Sequence, residues 1–131
     1  MRRAIIGLGL FLAGCAGDET LHGYGAAGGS WRLAEVDGLD ADGPLSLQFP
    51  APGRVTGQGP CNRFTGAQTA PYPWFDLTGP AMTRRACPEL AAEARLVAAL
   101  QAMTLAEVAG DLLILSNPEG AEMVFTRVPG G

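Results

Sequence analysis

The sequence predicts an α+β domain in which about eight short antiparallel strands form a curved sheet and one helix covers its open face. Glycine (19) and proline (10) are frequent among the 131 residues, which favours many turns and short strands. Apolar and polar residues alternate in most segments between those turns. Only Pro88–Met103 has apolar residues at helical spacing. Hydrophobic content of 47% and charged content of 17% are typical of one globular domain.

Two-residue alternation predicts the strands. Ser30–Val36 places Trp31 and Leu33 on one side, and Asp37-Gly38 then provides a turn. The remaining predicted strands are, in chain order, Leu45–Phe49, Arg54–Gly57, Phe64–Thr69, Trp74–Thr78, Leu105–Val108, Asp111–Leu115 and Glu122–Arg127. Three prolines bracket Trp74–Thr78, which suits an edge strand because proline lacks an N–H donor.

The predicted helix, Pro88–Met103, has a recognisable start. Proline is common at the first helical position, and Glu89 and Glu93 lie in the early turns, where the helix dipole favours negative charge. We therefore interpret both acids as dipole-stabilising residues. The apolar stripe, interpreted as core, consists of Leu90, Ala94, Val97, Leu100 and Met103.

Residues 1–14 have the features of a secretory signal peptide. Arg2 and Arg3 precede the apolar run Ala4–Ala13, which is shorter than the roughly 20 residues that a membrane-spanning helix needs. The run ends in Leu12-Ala13-Gly14-Cys15, which resembles the lipobox of bacterial lipoproteins. That resemblance implies cleavage before Cys15 and its acylation, for example with palmitate. The alternative is an ordinary signal peptide with an unrelated cysteine.

Residues 15–29 lack apolar periodicity and are predicted to be a flexible tether, with the folded domain at 30–128. His22, the only histidine, lies in this tether and is interpreted as neither a ligand nor a base. In enterobacterial lipoproteins, the signal for retention in the inner membrane is an aspartate directly after the acylated cysteine. Here Asp18 lies three residues after Cys15, and this resemblance therefore favours the periplasmic face of the outer membrane over the inner membrane. Without Arg2 and Arg3 the net charge is −6, and the chain contains no lysine, which argues against binding to nucleic acid.

Two segments carry a family resemblance. Gly57–Gly66 contains Cys61-Asn62-Arg63-Phe64, and Met82–Pro88 contains the second cysteine of the domain. Together they resemble the signature segments of the META/HslJ-like (DUF306-type) domain family, over Ser30–Val128, although Gly59-Pro60 replaces the commoner single glycine. The resemblance implies a twisted antiparallel half-barrel packed on one α-helix. It also implies a secreted or lipid-anchored bacterial protein linked to stress and envelope tolerance, without an established enzymatic activity.

Cys61 and Cys87 form a natural pair once Cys15 is acylated. Export would place them in an oxidising compartment, where a disulfide persists. Closing a loop of about 26 residues would contribute roughly 3–4 kcal/mol on the chain-entropy model. Free thiols and a redox-active pair are the alternatives, but the sequence has no Cys-x-x-Cys spacing and the predicted domain has no histidine to activate a thiol.

The sequence shows no catalytic set, cofactor motif or metal-ligand cluster. Three aspartates in the Asp37–Asp42 loop resemble a calcium loop only faintly, and we interpret them as a solvated turn. The candidate binding surface consists of Asn62, Arg63, Arg84 and Arg85. The structural alternative is that Asn62 bonds backbone locally in a left-handed or Asx-turn conformation while Arg63 pairs with an acid.

The sequence therefore predicts a non-enzymatic, lipid-anchored cell-envelope protein that serves as a stress-related binding or envelope-stability module. Its expected partners are the membrane, through the lipid, and an envelope protein. One alternative is a periplasmic inhibitor of a hydrolase, such as a lysozyme or a protease, which would use the Asp37–Asp42 loop. The other is a pilot-like lipoprotein of an outer-membrane complex.

Overall fold

The computed structural model describes residues 17–129, so the predicted signal peptide and Cys15 lie outside the described residues. The described part is a curled antiparallel half-barrel with one α-helix, α1 (Leu90–Gln101), which confirms the predicted α+β fold. The strands are β1 (Ser30–Val36), β2 (Leu39–Asp40), β3 (Ser46–Gln48), β4 (Arg54–Gln58), β5 (Arg63–Ala67), β6 (Thr78–Met82), β7 (Leu105–Ala109), β8 (Leu112–Ser116) and β9 (Glu122–Val128). Their order is β6-β5-β4-β3-β1-β9-β8-β7, and β2 pairs with β1. Between residues 17 and 129 no helix is long and apolar enough to cross a membrane.

The core lies between the curled sheet and α1. Trp31 and Leu33 of β1 point inward, as their alternation predicts, and Trp31 is fully buried. Leu96, Val97 and Leu100 of α1 belong to the same cluster of buried side chains. A bulge between Leu33 and Glu35 shifts the register of β1 against β9, which bends the strand locally.

The predicted strand Trp74–Thr78 is wrong in position. Its residues do alternate, since Phe75 and Leu77 are buried, but the sheet takes up the following residues, Thr78–Met82, as β6. β6 is an edge strand and contains Pro80, so the expected edge position applies to it. Alternation misplaced the strand because it records which side chains are buried and not which backbone groups form a ladder.

The helix is shorter than predicted, and the face that it buries differs in part from the predicted one. It begins at Leu90, two residues after Pro88, and ends at Gln101. Its buried residues are Glu93, Leu96, Val97 and Leu100. Leu90 and Ala94, which were assigned to the core stripe, are exposed. The buried face of the helix therefore includes one acidic side chain, that of Glu93.

Residues 18–29 are a folded segment rather than the predicted tether. A 3-10 helix, Leu21–Tyr24, buries Leu21 completely, and Ala26 is also fully buried. The indole Nε1 of Trp31 donates a hydrogen bond of 2.9 Å to the Ala26 carbonyl. His22 pairs with the Asp18 carboxylate at 2.7 Å. Isolated apolar residues in a glycine-rich segment show no periodicity, which is why the sequence pattern predicted a tether.

Candidate functional site

The two signature segments meet at one corner of the domain, which we call the signature corner: the turn at residues 59–62 with Arg63 after it, residues 83–87, and the first turn of α1. The turn is closed by a 2.9 Å hydrogen bond from the Gly59 N–H to the Asn62 carbonyl. A disulfide joins Cys61 to Cys87, whose Cα atoms are 6.0 Å apart. The predicted pairing of these cysteines is confirmed, and it fixes the turn to the start of the helix.

Glu93 reaches from α1 into this turn. Its side chain is 2% exposed. Its Oε2 accepts hydrogen bonds from the backbone N–H groups of Cys61 (2.8 Å) and Asn62 (2.6 Å), and its Oε1 accepts one from the Asn62 side-chain amide (2.8 Å). Glu93 lies in the first turn of α1, as the dipole interpretation requires, but that interpretation missed its burial and its hydrogen bonds to the signature turn. This carboxylate anchors the turn to the helix.

Opposing effects determine the protonation of Glu93. Burial raises the pKa of its carboxyl group, but the hydrogen bonds from the Asn62 side chain and from the backbones of Asn62 and Cys61 lower it. The hydrogen bonds outweigh burial, so the pKa lies below the usual value for glutamate. Glu93 is therefore an anion at neutral pH, and a buried anion must keep its donors.

Gly59 leaves the space that this carboxylate occupies. A Cβ atom added at Gly59 would lie 2.6 Å from Oε2 of Glu93, closer than such atoms approach in proteins. The Gly59-Pro60 pair, which departs from the commoner family sequence, thus still places a residue without a side chain beside the carboxylate.

Asn62 connects all parts of the corner. Its Oδ1 accepts hydrogen bonds from the backbone N–H of Arg85 (2.6 Å) and the hydroxyl of Thr83 (2.9 Å). Its Nδ2 donates to the carbonyl of Arg85 (3.2 Å) as well as to Glu93. Asn62 is 3% exposed and its φ angle is not positive, so the left-handed alternative is wrong. Its side chain bonds Thr83, Arg85 and Glu93 and no neighbouring backbone group, so the Asx-turn alternative is wrong as well. Its side chain holds together segments that are more than twenty residues apart.

The arginines of the candidate binding surface lie outside this network. Arg63, Arg84 and Arg85 are all exposed. Within residues 17–129, no carboxylate lies within 4.0 Å of their guanidinium groups, so the expected pairing of Arg63 with an acid does not occur there. Their backbones are nevertheless held: the Arg63 N–H donates to the Thr83 hydroxyl (3.0 Å), and the Thr83 N–H donates to the Arg63 carbonyl (3.0 Å). The corner therefore presents three cations from a fixed backbone.

A groove of about 550 Å³ runs beside these arginines, between β6 with the segment after it and the exposed side of α1. Its apolar lining includes Met82, Leu90 and Ala94, and Arg84 and Arg85 line it as well. Leu90 is 45% exposed there. An apolar floor with adjacent cations can accommodate an anionic group attached to an apolar one.

The acidic residues of the domain do not build a convincing metal site. Within the described chain, the one group close enough to share an ion is Cys61, Cys87 and Glu89, but the two sulfurs are bonded to each other and offer no thiolate. In the Asp37–Asp42 loop, Asp37 accepts a 2.8 Å hydrogen bond from the Glu122 N–H. Asp42 lies 3.9 Å from Arg95. These contacts give the loop a structural explanation.

Comparison with known proteins assigns the family. A family model of the META domain matches residues 24–130. The chain belongs to the META-domain family. The match begins at Tyr24, before the predicted domain start at residue 30, in agreement with the folded segment described above. No curated protein matches the chain in sequence.

Solved structures share the fold. A DUF4847-family protein from Bacteroides vulgatus superposes with a TM-score of 0.63 at 14% identity, covering 82% of this chain and 98% of its own. A protein from Burkholderia xenovorans gives 0.63 at 20% identity, covering 86% and 92%. A third protein gives 0.56 at 20% identity, covering 76% and 88%. At these identities the likeness concerns the fold alone.

Proposed function

We propose that this META-domain protein is a non-enzymatic, lipid-anchored protein of the bacterial cell envelope that binds an anionic partner at the signature corner. The single observation that supports the binding role is the set of exposed cations Arg63, Arg84 and Arg85, which have no carboxylate partner among residues 17–129 and stand on a braced backbone. Anchoring is supported by the resemblance of Leu12–Cys15 to a lipobox, and two or more acyl chains hold a protein durably on a membrane.

The bracing matters for affinity. Binding costs free energy when loops must be ordered at the interface, and a backbone that is already fixed avoids part of that cost. Here the disulfide, Glu93 and Asn62 fix both segments that carry the arginines. Guanidinium groups form paired hydrogen bonds with carboxylates and phosphates, so an anionic partner suits them. The groove beside Arg84 and Arg85 would take an adjoining apolar group.

In-cell crosslinking tests this function. The mature protein carries a photo-crosslinking residue at Ala86, which is exposed and lines the groove, and captured partners are identified by mass. We expect one dominant envelope partner, recovered much less after Arg84→Gln and Arg85→Gln together. Arg32→Gln with Arg54→Gln is the matched control, because it removes two exposed positive charges that lie outside the corner. Equal recovery from all variants, or no partner at all, would contradict the proposal.

A second candidate, inhibition of a hydrolase, is favoured by the β1–β2 hairpin. Leu39 at its tip is 73% exposed, and the adjacent Asp40 is exposed as well. A protruding apolar side chain beside an acid is a suitable shape for insertion into an active-site cleft. Leu39→Ala with Asp40→Asn should abolish inhibition of a lysozyme or protease if this function is correct. If the variant inhibits as well as the native protein, the hairpin is not the inhibitory element. If the native protein does not inhibit the enzyme, that enzyme is excluded as the target.

A further inference from the structure

Aromatic side chains are concentrated on the outer surface of the sheet where the described chain begins. We call this surface the aromatic patch: Tyr24, Tyr72, Pro73, Trp74, Leu105 and Ile114. Tyr24 is 51% exposed and Trp74 is 55% exposed, which makes them two of the most exposed large apolar residues between residues 17 and 129. A shallow groove of about 300 Å³ lies between Tyr72, Pro73, Leu105 and Ile114.

The two tyrosine rings of the patch and the backbone of Trp74 are held in place. Tyr24 and Tyr72 stack with their centroids 4.8 Å apart and their planes at 6°. The Tyr72 hydroxyl accepts a 3.0 Å hydrogen bond from the Val108 N–H. Trp74 forms an antiparallel bridge with Leu105 of β7. These contacts display the aromatic surface without burying it.

The N-terminal segment is attached directly to this patch. The Glu19 carbonyl accepts a 2.7 Å hydrogen bond from the Tyr72 N–H, and Thr20 bridges Pro71. Asp18 is fixed as well, because its carboxylate accepts a 2.9 Å hydrogen bond from the Thr20 N–H. Only three peptide units separate Asp18 from Cys15, and a fully extended chain covers roughly 11 Å over that length. An acyl group on Cys15 would therefore hold the patch close to the bilayer.

We propose that the aromatic patch rests on the bilayer surface and fixes the orientation of the anchored domain. The inference rests on the proposed acylation of Cys15. Tyrosine and tryptophan favour the membrane–water interface because an apolar ring can enter the lipid while its polar atoms stay hydrated. Glu107 lines the patch groove and Glu19 is exposed beside it, so their carboxylates would repel an anionic lipid surface. The ligand is a lipid surface of zwitterionic composition.

The chain supplies its own fluorescent probes. It contains two tryptophans, of which Trp31 is fully buried and Trp74 is more than half exposed. The mature acylated protein is inserted into phosphatidylcholine vesicles whose acyl chains are brominated near the headgroup, since bromine quenches tryptophan on contact. We expect loss of emission and a blue shift for the native protein relative to unbrominated vesicles. Trp74→Phe, which leaves only Trp31, should show neither change.

A relocated tryptophan gives the matched control. Ala91→Trp in the Trp74→Phe background places the probe on the exposed start of α1, outside both the groove and the aromatic patch, and should not be quenched. Intact mass and vesicle flotation establish acylation in the same samples. If the protein is acylated and co-floats with the vesicles but Trp74 is not quenched, the inference is wrong and the lipid anchor is still supported. Protection of Trp74 by a captured protein would lead to the same conclusion. A protein that carries no acyl group overturns both proposals.

Discussion

Replacement of Glu93 by glutamine removes the charge at the centre of the signature corner with little change in shape. The amide has one oxygen instead of two. If that oxygen takes the position of Oε2, it still accepts from the backbone N–H groups of Cys61 and Asn62. The new NH₂ group then faces Nδ2 of Asn62, donor against donor. Asn62 cannot rotate its amide without losing the two hydrogen bonds that its Oδ1 accepts from Thr83 and Arg85.

The cost follows from this geometry. A hydrogen bond to a charged group contributes about 1.5–3 kcal/mol, and a buried donor without an acceptor costs about 1–3 kcal/mol. Both values describe the same contact between Glu93 and Asn62, so they cannot be added in full. We expect Glu93→Gln to lower the free energy of unfolding by about 2–4 kcal/mol. Small domains have only about 5–15 kcal/mol in total, so the variant should still fold but unfold at clearly lower urea concentration.

Equilibrium urea unfolding at pH 7 with the disulfide intact measures this loss. Glu89→Gln is the matched control, because both acids were predicted to stabilise the helix dipole and only Glu93 is buried. Glu89 is exposed and makes no side-chain capping hydrogen bond, so its substitution should cost no more than about 1 kcal/mol. Similar losses for the two variants would refute the assignment of Glu93 as the anchor of the turn.

Three further predictions concern the same corner. Since the pKa of Glu93 is lowered in the folded protein, the unfolded chain binds the proton first as the pH falls. The stabilisation by ionised Glu93 should thus be fully present above the ordinary glutamate pKa of about 4.3, and the free energy of unfolding should fall as the pH drops below it. The free energy of unfolding of Glu93→Gln should fall less over the same pH range, and identical pH profiles for the two proteins would contradict this. Gly59→Ala should lower the free energy of unfolding, measured in urea, by about 1–3 kcal/mol because the added Cβ would displace the Glu93 carboxylate. Gly17→Ala is the control and should be nearly neutral, because no atom of a non-neighbouring residue lies within 4 Å of a Cβ at that position. Equal effects of the two substitutions would exclude the steric argument. Reduction of Cys61–Cys87 should cost roughly 3–4 kcal/mol, and unchanged unfolding with a reductant would show that the bridge does not stabilise the fold.

Much of the fold could be predicted because half-buried strands leave a local signal. Ser30–Val36 is found at its predicted bounds, since one side of β1 faces the core along its length. In the segment 74–82 the same alternation was present but pointed to the wrong residues. Phe75 and Leu77 are buried outside the ladder, while β6 lies at the edge of the sheet, has no fully buried residue and contains a proline. The folded segment before Ser30 was missed because Leu21 and Ala26 are isolated apolar residues.

The candidate site was predictable only in part. Cys61 and Cys87 could be paired because the proposed acylation of Cys15 would leave an even number of cysteines. The role of Glu93 was missed because its partners lie 31 and 32 residues earlier in the chain. One local signal was present: Glu93 precedes Leu96, Val97 and Leu100 by three, four and seven residues, so it lies on their apolar stripe. An acid on a buried stripe needs a donor, and the signature turn was the available source.

The intact mass of the mature protein from the cell envelope tests the central claim, lipid anchoring through Cys15, most directly. The proposed function includes this anchor, and contact of the aromatic patch with the bilayer assumes it. The account predicts a chain that begins at Cys15 and carries acyl groups. A chain that begins at another residue, or that begins at Cys15 with no acyl group, would contradict it.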